Sequence, residues 1–181
     1  MTNLRELYQK EIRKKLATEL GIKNIMSVPR LLKIVINTGL GEALVNKKAI
    51  DNMSSQLAII CGQKPIITYS RQDISTFKLR KGEAIGLKVT LRGKKMFDFF
   101  ERLVKIVLPR IRDFRGVPLR AFDNSANYTL GLKEQIVFPE IEYNQVDKVR
   151  GLEITFVTSS HDKIMAKRLL ELLGIPFEKN K

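Results

Sequence analysis

Residues 85–92 alternate without a break: Ile85, Leu87, Val89 and Leu91 fall on one side, Gly86, Lys88, Thr90 and Arg92 on the other. A period of two predicts a β-strand with one apolar face and one face of donors and positive charge. Such a strand needs partners along its edges and cover on its apolar side. The rest of the chain must therefore supply more strands and a layer of helices for one face only.

It contains both. Residues 3–20 place Leu4, Leu7, Tyr8, Ile12, Leu16 and Leu20 at helical spacing, with Asn3 and Glu6 as a capping box and Gly21 as the stop. Asn46 can cap a second helix with Ile50, Met53, Leu57 and Ile60 on its inner face, closed by Gly62. Residues 94–108 turn Met96, Phe97, Phe100, Leu103, Val104 and Val107 inward and end at Pro109. Ser160 caps a last helix carrying Ile164, Met165, Leu169, Leu172 and Leu173, stopped by Gly174 and Pro176. Further strands are predicted at 31–37, 65–69, 128–132, 135–138 and 152–158, and a long polar loop at 70–83. Helices and strands mix without a regular βα alternation. The expected fold is α+β, one domain over 1–181, with a largely antiparallel sheet, helices packed on one side and the opposite face free.

Charge bears on what that free face meets. The 181 residues hold 33 Lys and Arg against 19 Asp and Glu, a formal net charge of +14, and 44% hydrophobic residues, enough for a core. Residues 1–93 carry 17 basic and 7 acidic side chains, so the surplus concentrates in the first half. A basic surface attracts phosphate polymers by Coulomb force and counterion release. No apolar run reaches the length of a spanning helix, and Arg13, Lys14 and Lys15 stand where a signal peptide would be apolar.

Catalytic chemistry finds little material. Cys61 and His161 are the only residues of their types, so an intrachain disulfide cannot form and a Cys-based zinc site does not fit. His161 has no neighbouring nucleophile motif. Gly39-Leu40-Gly41 follows a strand, but the third glycine of a dinucleotide fingerprint is replaced by Leu44; a tight turn, or a close backbone approach to a phosphate, is the better reading. Glu140, Glu142 and Asp147 lack calcium-loop spacing and read as solvated surface or a protein-facing acidic patch. No cofactor or metal is expected. Residues 63–92 instead interleave Lys64, Arg71, Lys78, Arg80, Lys81, Lys88 and Arg92 with Gln63, Thr68, Ser70, Gln72, Ser75, Thr76 and Thr90. This mixture suits RNA phosphate and 2′-OH groups. Tyr69 is the one aromatic expected near the ladder. A DNA-binding architectural protein and an RNA-modifying enzyme are the alternatives. The first lacks a helix-turn-helix or dimer signal, and the second lacks a positioned acid and base.

Several long motifs in order then carry a resemblance over nearly the whole chain. Residues 37–43 (NTGLGEA), 62–65 (GQKP), 77–82 (FKLRKG), 85–93 (IGLKVTLRG), 108–116 (LPRIRDFRG) and 138–141 (FPEI) resemble the bacterial family of large-subunit ribosomal protein five. The chain departs from the family at Ala84, where proline is common, and at Asn124, Ser125 and Ala126, a segment often rich in glycine. The resemblance implies an α+β, non-enzymatic constituent of the cytoplasmic ribosome. It implies 5S rRNA binding in the central protuberance through Asn37, Thr38, Gly39, Gln63, Lys64, Thr68, Ser70, Lys88, Thr90 and Arg92. It implies contact with peptidyl-site tRNA by the 71–82 loop, where Arg71, Lys78, Arg80 and Lys81 supply charge. It also implies a bridge to small-subunit protein thirteen through Arg110, Arg112, Arg115, Glu134, Glu140 and Tyr143. Large-subunit rRNA and neighbouring ribosomal proteins complete the expected partners. Residues 1–93 would then be the RNA-facing half and 94–181 the half that holds the bridge loops.

Overall fold

The computed structural model describes residues 4–178; the expected cap Asn3 lies outside them. Five strands form one sheet: β1 (Leu31–Gly39), β2 (Ile66–Tyr69), β3 (Ala84–Leu91), β4 (Tyr128–Leu132) and β5 (Leu152–Thr158), in the order β2-β3-β1-β5-β4. The pairing is antiparallel, so the α+β expectation holds.

Along each long strand burial alternates. Ile34, Ile36 and Thr38 of β1, Leu87, Val89 and Leu91 of β3, and Leu152, Ile154, Phe156 and Thr158 of β5 are buried. Val35, Asn37, Thr90, Thr155 and Val157 are half-buried, and Lys88 and Glu153 are exposed. This is the one-sided patterning of a sheet with one solvated face.

The helical parts are α1 (Leu4–Leu7), α2 (Arg13–Glu19), α3 (Lys48–Cys61), α4 (Gly93–Arg102), α5 (Leu108–Arg110) and α6 (Lys163–Leu172). A π-helical turn, Tyr8–Ile12, joins α1 to α2, and another, Leu103–Val107, joins α4 to α5. The run from Gly93 thus continues past the predicted stop, through Pro109, to Arg110. A π turn is wider than an α turn, which accommodates a ring without an N–H.

The chain divides into two compact units. The first gathers the described parts of Met1–Ile34, Leu91–Leu130 and Thr155–Lys181. Its core combines Leu4, Ile12 and Leu16 with Phe99, Phe100 and Phe156. The Phe100 and Phe156 rings meet edge to face at 5.4 Å, and Tyr128 meets Phe177 in the same way at 5.5 Å. Arg168 clamps Glu19 through Nε and Nη2 at 2.7 and 2.9 Å. The second unit holds Val35–Thr90 and Gly131–Ile154. Ile50, Met53, Leu57 and Ile60 of α3 are buried there, as are Ile36, Leu87, Val89 and Ile154.

Two local expectations change. Residues 135–138 are not a strand: Gln135–Val137 is a 3-10 turn. Gln135 is fully buried, its Nε2 donates to the Lys148 carbonyl at 2.7 Å, and its Oε1 accepts from the Arg150 N–H. The buried amide thus ties this turn to the backbone of Lys148 and Arg150. Asp162, not Ser160, caps α6 by accepting from Ile164 N at 2.9 Å. Ser160 Oγ is engaged with the backbone of Asp162. Asn46 does serve α3, accepting from Lys48 N at 3.2 Å. The 124–126 departure forms a loop closed by Asp123, which accepts from the N–H groups of Ser125 and Asn127; Ala126 there takes φ +58°, a conformation that glycine favours.

Candidate nucleic-acid interface

The candidate surface is built by neighbouring strands of the second unit. Residues opposite each other in an antiparallel pair share a face. Ile66 lies opposite Lys88, and Thr68 opposite Gly86. Lys88 is exposed, Thr68, Thr90 and Asn37 are half-buried, and Gly39 is exposed at the end of β1. Asn37 Nδ2 donates to Glu153 Oε2 at 3.5 Å, and Gln63 Nε2 donates to the Thr90 carbonyl at 3.2 Å. Gln63 thus ties the β2 approach to β3, and Lys64 follows it into solvent.

Gly86 shapes this surface. A Cβ there would stand 2.7 Å from the Thr38 carbonyl oxygen and 2.9 Å from Thr68 Oγ1. Only the absence of a side chain lets β1 and β3 lie this close with Thr68 across the gap.

Not every residue expected on this face is on it. Thr38 is 2% exposed and its hydroxyl donates to the Gly151 carbonyl at 2.9 Å. Ser70 is buried, with its hydroxyl on the Gln72 carbonyl at 2.7 Å. Both fix backbone, and neither side chain reaches solvent. Arg92 is exposed on extended backbone (φ −139°, ψ 164°), so the alternation runs one residue past β3; it is also the N-cap of α4 and belongs to the first unit.

Tyr69 departs from its expected place. The β2–β3 register shifts between Thr68 and Tyr69. Tyr69 and Ile67 line a groove of about 420 Å³ with Ala43, Leu44, Lys47 and Ile50. The ring therefore serves the α3 side and not the Lys88 side. Conversely, the apolar residue beside Lys88 is Ile66, 71% exposed. Its parity with Thr68 is the signal in the sequence, but an isoleucine next to a proline does not look like surface.

The 71–82 loop is a folded element. Ile74 and Leu79 bridge, Ser75–Phe77 makes a 3-10 turn, and Lys78 takes a left-handed φ of 51°. Asp73 Oδ1 accepts from Lys81 N and Glu83 Oε2 from Arg80 N, both at 2.7 Å. Both carboxylates are thus engaged by the loop's backbone. The side chains of Arg71, Lys78, Arg80 and Lys81 all stand exposed. Phe77, 69% exposed beside Lys78, is a ring available for stacking that composition alone does not single out.

Arg110, Arg112 and Arg115 belong to the first unit; Arg110 and Arg112 are exposed there, as is Arg115. Glu134 and Tyr143 are exposed and Glu140 half-buried in the second. The acidic patch resolves differently from its expectation. Asp147 pairs with Arg150 through both carboxylate oxygens at 2.7 Å, and Arg150 Nε reaches Glu42 Oε1 at 2.6 Å. The Arg150 hydrogen bond holds the Asp147 carboxyl well below the usual carboxylate range. Lys148 and Arg150 together lower that of Glu42. Gly39-Leu40-Gly41 is a structural turn: Leu40 is 1% exposed and its N–H donates to the Ile85 carbonyl at 2.7 Å. His161 is exposed and Cys61 is buried. Among the described residues there is no group of His, Cys, Asp and Glu side chains that could hold a metal ion.

Two family models match the chain. One, described as ribosomal protein L5, covers residues 24–80; the other, described as the C-terminus of the ribosomal L5 family, covers residues 84–177. The large ribosomal subunit protein uL5 of Dichelobacter nodosus is 52% identical over 177 residues, 98% of this chain and 99% of that one. Its counterpart in Anaeromyxobacter sp. strain Fw109-5 is 55% identical over 174 residues, 96% of this chain and 97% of that one. That of Moorella thermoacetica is 51% identical over 180 residues, 99% of this chain and all of that one.

Proposed function

We propose, from the premise that this chain belongs to the ribosomal protein L5 family, how its surfaces divide the work of that family. The protein is a non-enzymatic, structural constituent of the large subunit of the cytoplasmic ribosome. Its 5S rRNA face is the open side of β2, β3 and β1, where Lys88, Thr90, Asn37, Thr68 and the Gly39 backbone meet sugar and phosphate. Arg92, Lys64 and Gln63 extend that contact. The one-sided strand β3 carries the reading: solubility would not require Lys88, Thr90 and Arg92 on a single face over a fully apolar one. With few exposed rings on this face, recognition rests on RNA shape and backbone more than on base edges.

The 71–82 loop, with its four exposed cations and Phe77, is offered to tRNA in the peptidyl site. The Arg110–Arg115 segment, with Glu134, Glu140 and Tyr143, is offered to protein thirteen of the small subunit. A general nucleic-acid-binding role is the alternative, and comparable affinity for duplex DNA would mark it.

The test is a titration against 5S rRNA, an unrelated RNA of equal length and duplex DNA at two salt concentrations. Lys88→Ala combined with Arg92→Ala is expected to cost about 1–3 kcal/mol of 5S binding. Unchanged affinity in the folded double variant would remove the ladder from the interface. Deleting residues 72–81 is expected to leave 5S affinity within about twofold, the size of a change that touches no contact, while weakening tRNA contact in assembled ribosomes. Loss of 5S binding in that deletion would overturn the division of labour.

A further inference from the structure

We infer that a second RNA contact, separate from the sheet face, lies in the first unit, where Arg5, Arg13 and Arg30 line one pocket and would hold a phosphodiester of a ribosomal RNA strand. The inference rests on the reading of this chain as an RNA-binding protein. The pocket has a volume of about 310 Å³ and is walled by Tyr8, Gln9, Met26, Val28, Leu31 and Phe97 besides the three arginines. No carboxylate is among these residues. Among the described residues, neither Arg13 nor Arg30 has a carboxylate partner, whereas Arg150 and Arg168 each have two.

The pocket is held in shape by local bonds. Arg13 donates from Nε and Nη2 to the Ile25 carbonyl at 3.2 and 2.9 Å, which sets the plane of its guanidinium. The Tyr8 hydroxyl donates to the Pro29 carbonyl at 2.9 Å. The Arg30 backbone is anchored on both sides: its N–H donates to Ser159 Oγ at 3.0 Å, and its carbonyl accepts from Ser159 N at 2.9 Å.

Arg13 and Arg30 line one pocket with no carboxylate among its residues, so positive charge accumulates there and an anion would neutralise it. The walls show which anion. Met26 is 75% exposed, and the Tyr8 and Phe97 rings lie 6.3 Å apart at the pocket. A small inorganic ion would leave that apolar and aromatic wall unused. A nucleotide of an RNA strand uses both, with phosphate on the arginines and base or ribose against Met26 and the rings. Sequence periodicity does not reveal the site: Arg5 and Arg13 come from the first helical run and Arg30 from the entry to β1.

The test is a salt-dependent titration of full-length protein against 5S rRNA and against large-subunit rRNA, with inorganic phosphate and a nucleoside monophosphate as competitors. The variants are Arg30→Gln, Arg13→Gln with Arg30→Gln, and the Lys88→Ala/Arg92→Ala face variant. Arg30→Gln leaves the Ser159 bonds intact, because both are made by the Arg30 backbone, so it folds even if the double variant does not. Arg30→Gln is expected to weaken binding to at least one of the two RNAs by about tenfold. It is also expected to lower the slope of log K against log salt by about one. Neither competitor is expected to displace the RNA at millimolar concentration. Unchanged affinity and slope for both RNAs, with the face variant still impaired, would overturn the pocket alone. Unchanged behaviour of the face variant as well would overturn the RNA reading and the pocket with it. Displacement by the monophosphate would assign the pocket to a free nucleotide and overturn the strand contact.

Discussion

Arg150→Ala is expected to lower the unfolding free energy by about 2–4 kcal/mol, read by thermal or denaturant melting. Removing one partner of a buried ion pair costs about 3–5 kcal/mol because the other charges stay desolvated. The Arg150 side chain is 5% exposed, but Glu42 and Asp147 are 28% and 32% exposed, so water recovers part of that cost. Arg150→Lys keeps the charge and loses the two-pronged geometry, and is expected to fall between the two. The consequence reaches the face proposed to bind RNA. Glu42 follows the Gly39–Gly41 turn at the end of β1, and Arg150 precedes Gly151, whose carbonyl accepts from Thr38. A loosened network is therefore expected to weaken 5S rRNA binding without removing any contact residue.

The same pair sets a pH dependence. Asp147 and Glu42 are held below their ordinary values in the folded chain. A carboxylate with a depressed folded pKa contributes stability that is complete above its unfolded value of about 4 and is lost as the pH falls through its folded value. The gap between wild type and Arg150→Ala is therefore expected to be constant from neutral pH to about 5 and to close below about 4. A gap that persists undiminished at strongly acidic pH would show that packing, and not charge, underlies the loss.

Gly116→Ala is the second large effect, at about 2–6 kcal/mol. Gly116 takes φ +110°, where an L side chain is strained by about 1–3 kcal/mol. A Cβ would also sit 2.7 Å from Glu178 N and 2.9 Å from Phe177 C. Those atoms are backbone and cannot swing aside, so overpacking adds about 1–3 kcal/mol. They are also paired: Val117 N donates to the Pro176 carbonyl at 2.8 Å, and Glu178 N to the Val117 carbonyl at 3.0 Å. This short parallel bridge closes the Arg110–Arg115 segment against the chain's last described residues. Hydrogen exchange is expected to show lost protection at Val117 and Glu178 before the sheet is affected. Gly131→Ala is the control, since nothing lies within 4 Å of its added Cβ and its φ is not positive. Equal losses at Gly116 and Gly131 would refute the steric account.

The sequence by itself determined the five strands of the sheet, while also suggesting a strand at 135–138 that does not form, together with the helical faces and the sign of the surface. Residues 85–92 display both faces of β3, and Ile50, Met53, Leu57 and Ile60 mark the buried side of α3, because side-chain direction follows from backbone period alone. The surplus of cations, and the absence of any motif for metal or nucleophile chemistry, are also matters of count and spacing. What depended on residues far apart in the chain was legible only in three dimensions. Gln135 looks like the start of a strand until Lys148 and Arg150 claim its amide. Asp147 looks like acidic surface until Arg150, 108 positions beyond Glu42, draws both carboxylates to one guanidinium. Tyr69 shares the parity of Ile67, so alternation along β2 turns it from the basic face, and only the pairing of β2 with β3 shows which face that is. The meeting of Arg5 and Arg13 with Arg30 belongs to the same class. Periodicity is a property of neighbours along the chain, while desolvation and charge pairing are properties of neighbours in space, and only the folded chain sets the latter.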